Sequence, residues 1–303
     1  MTVVALTGAS GRLGRLVIES LSELTRPGDV VLATRDPDGL RAAVPPGMQL
    51  RFADFDAPES LPAAFAGVDR LLVISTDHLG ERVRQHRAAF AAAAAVGVDQ
   101  VIYTSMLKPT AAHPCAPLAS DHRLTEEALR AAGPIWSILR YGFFAETLLG
   151  SAERAVQSGR WISNAGGGHA SWVAVADCAE VAAHVLAFGG HERQILEIVG
   201  PEALSYADIV RLLADISGQP IELVSLDDRA YREDLIRRGA AEADADEYTS
   251  FGPAIRRGFA TAETGTVLEI TGRSPRGLRE VLLGHGLAPG AARSASAGPI
   301  AAT

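Results

Sequence analysis

Lysine and cysteine are nearly missing from this 303-residue chain: its 28 basic residues are one lysine, Lys108, and 27 arginines, and its only cysteines are Cys115 and Cys178. Two cysteines cannot build a disulfide framework, and they read as small buried hydrophobes. The arginine excess, with much alanine and glycine, is the residue usage of a high-GC genome. No run of like charge stands out, and the net charge is −8 with a pI of about 5.5. Phosphate backbones need a basic face, so a nucleic-acid partner is excluded from the expectation. Hydrophobic residues make up 48%, yet no apolar stretch approaches the ~20 residues that span a bilayer. Met1 leads directly into a strand-like run, without a basic leader or cleavage site. The expectation is a reduced, cytoplasmic protein, monomer or homodimer, with no membrane partner.

What is present is alternation. Val3–Leu6, Val30–Ala33, Leu50–Ala53, Leu71–Ile74, Val101–Tyr103 and Trp136–Leu139 read as buried strands. Between them lie amphipathic stretches at Leu13–Leu24, Glu81–Val96 and Ser120–Ala132, the last with Asp121 as its N-cap. Repeated β-α alternation predicts an α/β fold of the Rossmann type, a doubly wound parallel sheet over residues 1–150. Beyond residue 150 the regularity weakens. Strands are expected at Trp161–Ser163, Ile195–Val199 and Ile221–Val224, and helix starts near Asp177, Ser205 and Asp227. Residues 151–286 read as a smaller α+β substrate lobe interleaved with the first domain. Residues 287–303, mostly Ala, Gly, Ser and Pro, read as a flexible tail. Ligands of doubly wound sheets bind beyond the carboxyl ends of the strands, so the residues just after each strand are the ones to inspect.

After the first strand comes Thr7-Gly8-Ala9-Ser10-Gly11-Arg12-Leu13-Gly14. One glycine permits the tight turn, one the approach of a pyrophosphate, and one close helix–strand packing. The phosphates would meet free N–H groups and the positive end of the helix dipole, which makes Gly8, Ser10, Gly11, Arg12, Leu13 and Gly14 dinucleotide-binding candidates. An NAD site places an acid at the end of strand two, about 20 residues on, against the ribose hydroxyl. Here that strand ends Ala33-Thr34-Arg35-Asp36-Pro37. Arg35, with Arg12 nearby, offers a guanidinium to a 2′-phosphate and favours NADPH. Asp36 would favour NAD if the strand ended one residue later.

Several further segments accompany the glycine loop: Thr34–Pro37, Ala53-Asp54-Phe55, Leu72–Thr76, Gln85-His86-Arg87, Tyr103-Thr104-Ser105 and Leu139–Glu146. Together they resemble the NmrA-like atypical short-chain dehydrogenases, and within them the NADPH-dependent quinone oxidoreductases of the type 2 class. The resemblance runs from Thr2 to about residue 200. It implies that Arg35 binds the 2′-phosphate, Asp54 and Phe55 the adenine, and Ser75 and Thr76 the ribose–nicotinamide side. It also implies that Thr104, Ser105 and Tyr141 lie around the nicotinamide, with Phe143, Phe144 and Glu146 toward the substrate. After that Glu the family often has Asn, where this chain has Thr147.

Ordinary short-chain dehydrogenases use a Tyr-x-x-x-Lys pair, whose lysine lowers the tyrosine pKa for proton donation. Four residues after Tyr103, Tyr141, Tyr206, Tyr231 and Tyr248 stand Leu107, Ala145, Val210, Leu235 and Gly252, so the pair is absent. Reducing an unactivated ketone needs a positioned acid, typically worth ~10²–10⁴-fold. A quinone accepts hydride to give a delocalised, stabilised anion, so positioning suffices. The expected activity is therefore an NADPH-dependent oxidoreductase acting on a quinone-like or electron-poor aromatic acceptor. The alternatives are a non-catalytic NAD(P)-sensing regulator and a tailoring reductase of secondary metabolism. His122, at the start of its helix as in the quinone reductases, Lys108 and Ser105 are the candidate catalytic residues. Nothing has metal-ligand spacing: His113 and Cys115 are too sparse for zinc.

Overall fold

The computed structural model describes residues 2–287. Of the expected tail, Leu287 is buried against the second lobe, and 288–303 lie outside the described residues. The first half alternates β1 (Val4–Thr7), α1 (Arg12–Leu24), β2 (Val30–Thr34), α2 (Pro37–Leu40), β3 (Gln49–Phe52), α3 (Leu61–Phe65), β4 (Arg70–Val73), α4 (Arg82–Ala95), β5 (Gln100–Met106), α5 (Ala116–Ala131) and β6 (Ile135–Tyr141). The remainder comprises α6 (Leu149–Ser158), β7 (Arg160–Ser163), β8 (His169–Ala170), α7 (Val175–Phe188), β9 (Gln194–Ile198), β10 (Leu204–Ser205), α8 (Tyr206–Ser217) and β11 (Glu222–Ser225). Four helices follow: α9 (Asp228–Arg237), α10 (Glu242–Arg256), α11 (Thr266–Thr271) and α12 (Leu278–Gly284).

Seven strands form one sheet in the order β3-β2-β1-β4-β5-β6-β9, every neighbouring pair parallel. Side chains alternate across a strand, and here both sets are apolar because helices cover both faces. Leu6, Leu32, Leu72 and Ile102 point to the face packed by α1 and α7. Ala5, Val31, Leu71 and Val101 point to the face that also holds Phe65, Phe90 and Leu129 of α3, α4 and α5. The strand expected at Ile195–Val199 is β9, the seventh strand of this sheet rather than a piece of the lobe. The lobe has its own core around Trp161, Trp172, Leu213 and Leu282, with two small sheets, β10-β8 and β11-β7.

Of the expected helix starts, Ser205 and Asp227 are N-caps, Ser205 within a full capping box. Asp177 is instead the third residue of α7. Its buried carboxylate holds Arg273 at 2.7 Å and accepts the Arg276 N–H at 2.8 Å, drawing the C-terminal segment onto the helix. Asp121 is likewise not a cap. Helix α5 begins five residues earlier at Ala116, with Pro117 in its first turn, and Asp121 Oδ2 accepts the Gly80 N–H at 3.0 Å.

Candidate functional site

The sheet order changes direction between β1 and β4, and the crevice beyond their carboxyl ends is where such folds bind ligands. Gly8 closes the β1–α1 turn with φ +67°, a left-handed conformation that other residues adopt at a cost. A Cβ on Gly14 would stand 2.2 Å from the Gly8 carbonyl oxygen, so only glycine lets α1 pack this close to the loop. Gly8, Ser10, Gly11 and Arg12 are exposed at the crest. Helix α1 has no side-chain cap and no acidic residue in its first turn. Its opening N–H groups therefore face outward with an uncompensated dipole, a cradle suited to a pyrophosphate.

The structure sets the other expected residues along the same edge. Arg35 follows β2 and is exposed, in no ion pair among the described residues. Asp36 is committed elsewhere: its side chain accepts the Gly39 N–H at 2.9 Å and caps α2. Asp54 and Phe55 follow β3, Asp54 bracing its own turn by accepting the Asp56 N–H at 2.9 Å. Phe55 meets the His86 ring edge-on at 6.1 Å. After β4, the Ser75 N–H donates to Thr104 Oγ1 at 2.9 Å, and Thr76 bonds both His86 and Gln85. Thr104 thus orients the β4 loop from the neighbouring strand.

Three expected residues are engaged in ways their roles did not anticipate. Ser105 donates to Glu126 at 2.7 Å, and Glu126 is itself clamped by both Arg140 and Arg130. His122 lies in the second turn of α5, not the first, and is 6% exposed. Its Nε2 accepts from the Arg82 guanidinium at 3.1 Å, so the neutral ring carries its proton on Nδ1, 2.9 Å from the Tyr103 hydroxyl. Burial, then the nearby Arg82, pushes the His122 pKa well below its ordinary value. Glu146 accepts the Val175 N–H through both carboxylate oxygens, at 3.0 and 3.1 Å, so it caps α7. Arg12 approaches it to 3.6 Å.

At the ends of β5 and β6 the surroundings turn apolar. Tyr141 is buried and its hydroxyl donates to the Cys178 carbonyl at 3.4 Å. Phe143 packs against Trp172 and Phe251, and Phe144 against Tyr141. Lys108, with φ +47°, donates to the Gly258 carbonyl at 2.7 Å and ties this edge to the lobe. Burial raises the pKa values of Tyr103 and Tyr141, the opposite of what proton donation by tyrosine requires. Sequence reasoning missed Arg82, buried at 5% exposure, and set aside His113, 2% exposed beside this apolar edge. Nothing local marks either, because both are buried by residues distant in sequence.

Residues 8–187 match a family described as NAD(P)H-binding. The chain belongs to that family. Over 278 residues it is 32% identical to quinone oxidoreductase 2 of Escherichia coli (strain K12), covering 92% of this chain and 96% of the relative. Among solved structures of the family's fold, the NADPH-dependent quinone oxidoreductase of Escherichia coli complexed with NADPH superposes with a TM-score of 0.89. It shares 31% identity, covering 93% of this chain and 99% of that one. Citrobacter sp. triphenylmethane reductase complexed with NADP(H) gives 0.86 at 28% identity, with the same coverage. The resemblance to NmrA-like reductases expected from the motifs is thus borne out across nearly the whole described chain.

Proposed function

We propose that this chain is an NADPH-dependent reductase that passes hydride to quinone-like, electron-poor aromatic acceptors. The observation that carries the reading is the composition of the carboxyl edge. An uncapped helix N-terminus and Arg35, in no ion pair among the described residues, lie at one end, and an aromatic lining without a tyrosine–lysine pair lies at the other. The similarity to a quinone oxidoreductase and a triphenylmethane reductase, both named for aromatic or quinonoid substrates, supports it.

In this reading Gly8–Gly14 hold the pyrophosphate and Arg35 the 2′-phosphate. Asp54 and Phe55 flank the adenine, and Ser75, Thr76 and Thr104 form the wall on the nicotinamide side. Bound there, NADPH supplies a hydride. Phe143 and Phe144 hold the acceptor flat, and aromatic contacts of this kind contribute about 0.5–1.5 kcal/mol beyond burial. Lys108 stands close enough to the β5 end to stabilise developing negative charge. His122 has no proton-donor role, because both ring nitrogens are engaged. Ser105 serves by holding Glu126 and Glu146 by anchoring α7, so neither acts on the acceptor. Residues 1–150, completed by α7 and β9, act as the cofactor domain, and the rest of 151–286 as the interleaved substrate lobe of a cytoplasmic monomer or homodimer.

The test is NADPH oxidation with benzoquinone, naphthoquinone and a plain aliphatic ketone. Turnover of the quinones alone is expected. Gly11→Val, whose Cβ would meet only the Gly8 carbonyl oxygen at 3.3 Å, should fold yet lose NADPH binding by calorimetry. Comparable ketone turnover would indicate a carbonyl reductase. Tight NADPH binding without turnover across the panel would indicate a sensor.

A further inference from the structure

Between the carboxyl ends of β5 and β6 lies a cavity of about 10 Å³, lined by Met106, Leu107, Tyr141, Phe143, Phe259 and His113. That volume suits a single oxygen atom, a water or a carbonyl, and not a ring. Among the side chains of the residues that line it, the hydrogen-bonding groups are the Tyr141 hydroxyl, already bonded to the Cys178 carbonyl, and the His113 imidazole.

The protonation of that imidazole is fixed by the backbone. The Cys115 N–H donates to His113 Nδ1 at 3.0 Å, so Nδ1 must be an acceptor. In the neutral ring the single proton then sits on Nε2, which becomes a donor. Nε2 is buried and has no hydrogen-bond partner among the described residues. The ring is held edge-on against Phe259, centroids 4.8 Å apart, so it cannot swing out to find one cheaply. Burial, and then Arg257, lower the pKa to about 4, so the ring is neutral at ordinary pH. A buried N–H without an acceptor has lost its bond to water and gained none in return, and a chain that holds one at its proposed acceptor edge has a donor waiting for an oxygen.

We propose that His113 Nε2–H is the hydrogen-bond donor for the acceptor's carbonyl oxygen, with the oxygen seated in this slot and the ring lying outside it. The inference rests on the quinone-reductase reading above. When a quinone receives hydride, two electrons and a proton, negative charge collects on its oxygens as the hydroquinone monoanion. That anion takes its last proton from water. His113 keeps its own proton throughout and stabilises the charge as a fixed, desolvated donor, in place of the missing tyrosine. A neutral donor suits this acceptor: the monoanion needs its charge stabilised, not an immediate proton.

Two conservative variants separate this role from a structural one. His113→Gln can place an amide N–H near the Nε2 position but surrenders the acceptor for Cys115. His113→Asn keeps an acceptor near Nδ1 and has nothing that reaches the slot. With wild-type quinone turnover established, His113→Asn should lower kcat by about 10²–10³-fold, leaving NADPH affinity unchanged. His113→Gln should stay within about tenfold of wild type. Equal losses in both, or Asn retaining what Gln loses, would reduce His113 to a clamp on the Cys115 N–H. A readout independent of turnover is the imidazole Nε2–H resonance by NMR, with p-nitrophenolate added to the NADP⁺-loaded protein as a mimic of the anionic product. A downfield shift is expected, and an unmoved resonance overturns the proposal. Wild-type protein that turns over no quinone defeats the parent reading in the first assay, before any variant is made.

Discussion

Arg35 and Asp36 are neighbours at the end of β2 that would argue for different cofactors, and the structure separates them by what each side chain is free to do. Asp36 faces back onto α2 and spends its carboxylate on the Gly39 N–H. That bond holds the carboxylate turned toward the start of α2. Arg35 is exposed with its guanidinium unpaired among the described residues. Neither commitment could be read from the dipeptide alone, since the outcome turns on where β2 ends, and it ends at Thr34. Replacing Arg35 with Ala should remove a charge-assisted contact worth about 1.5–3 kcal/mol for NADPH, roughly ten- to hundredfold in affinity. NADH binding should hardly change. Calorimetry with both cofactors decides it, and parallel losses would mean that Arg35 supports the loop instead of recognising a phosphate.

Helix α7 shows how an element outside the first 150 residues braces the proposed site. Its N-terminus receives both oxygens of Glu146 and its last carbonyls, of Leu186 and Ala187, receive the Arg70 guanidinium at 2.9 and 2.6 Å. Each charge opposes the helix dipole at its own end. Glu146→Ala should therefore cost stability, about 0.5–2 kcal/mol as for a lost cap, with little change in the acceptor KM. Urea unfolding and steady-state kinetics on the same variant test this. A raised KM at unchanged stability would return Glu146 to the substrate wall. The elements that the sequence made legible are those with local signals. Examples are the buried strands β1, β2, β4, β5 and β6, the glycine turn, and α8 and α9 with their Ser205 and Asp227 caps; β3, also expected to be buried, is a half-exposed strand because it lies at the sheet's edge, with Phe52 52% exposed. Illegible were features set by distant partners. Asp121 has the chemistry of a cap, but α5 starts upstream and Gly80 claims its carboxylate. The pattern of Ile195–Val199 says strand without saying which sheet, and β6 supplies the answer. Likewise Ser105, His122 and His113 were visible as residue types, while their hydrogen-bond partners, which decide what each can do, were not.

At the scale of the whole molecule, the carboxyl edge carries an acid liability. His86, His113 and His122 are all buried there, with pKa values pushed by burial and neighbouring arginines to about 3, about 4 and well below 6.5 respectively. His86 accepts the Thr76 N–H at 3.2 Å, His113 that of Cys115 and His122 the Arg82 guanidinium, so protonating any of them breaks a bond as well as charging the interior. In the unfolded chain each would titrate near 6.5. As pH falls below that value the unfolded state takes up three protons that the folded state refuses. Stability is thus fully present above about pH 6.5 and lost as pH falls toward 4. Each histidine contributes up to about 1.4 kcal/mol per pH unit, so the slope approaches about 4 kcal/mol per unit if all three act. That is a large fraction of the ~5–15 kcal/mol that holds a typical domain together. Urea midpoints measured from roughly pH 8 to pH 5 should fall steeply in the lower half of the range. The losses should be smaller by one proton's worth in a variant where one of these histidines is replaced without loss of fold. A flat profile would mean that water reaches these rings and that they titrate in the folded protein much as in the unfolded chain. The same linkage shapes the enzyme's pH dependence. Quinone turnover should decline in acid in step with the loss of near-UV circular dichroism, and not along the titration of a catalytic acid, because in this reading no side chain gives up its proton during the reaction.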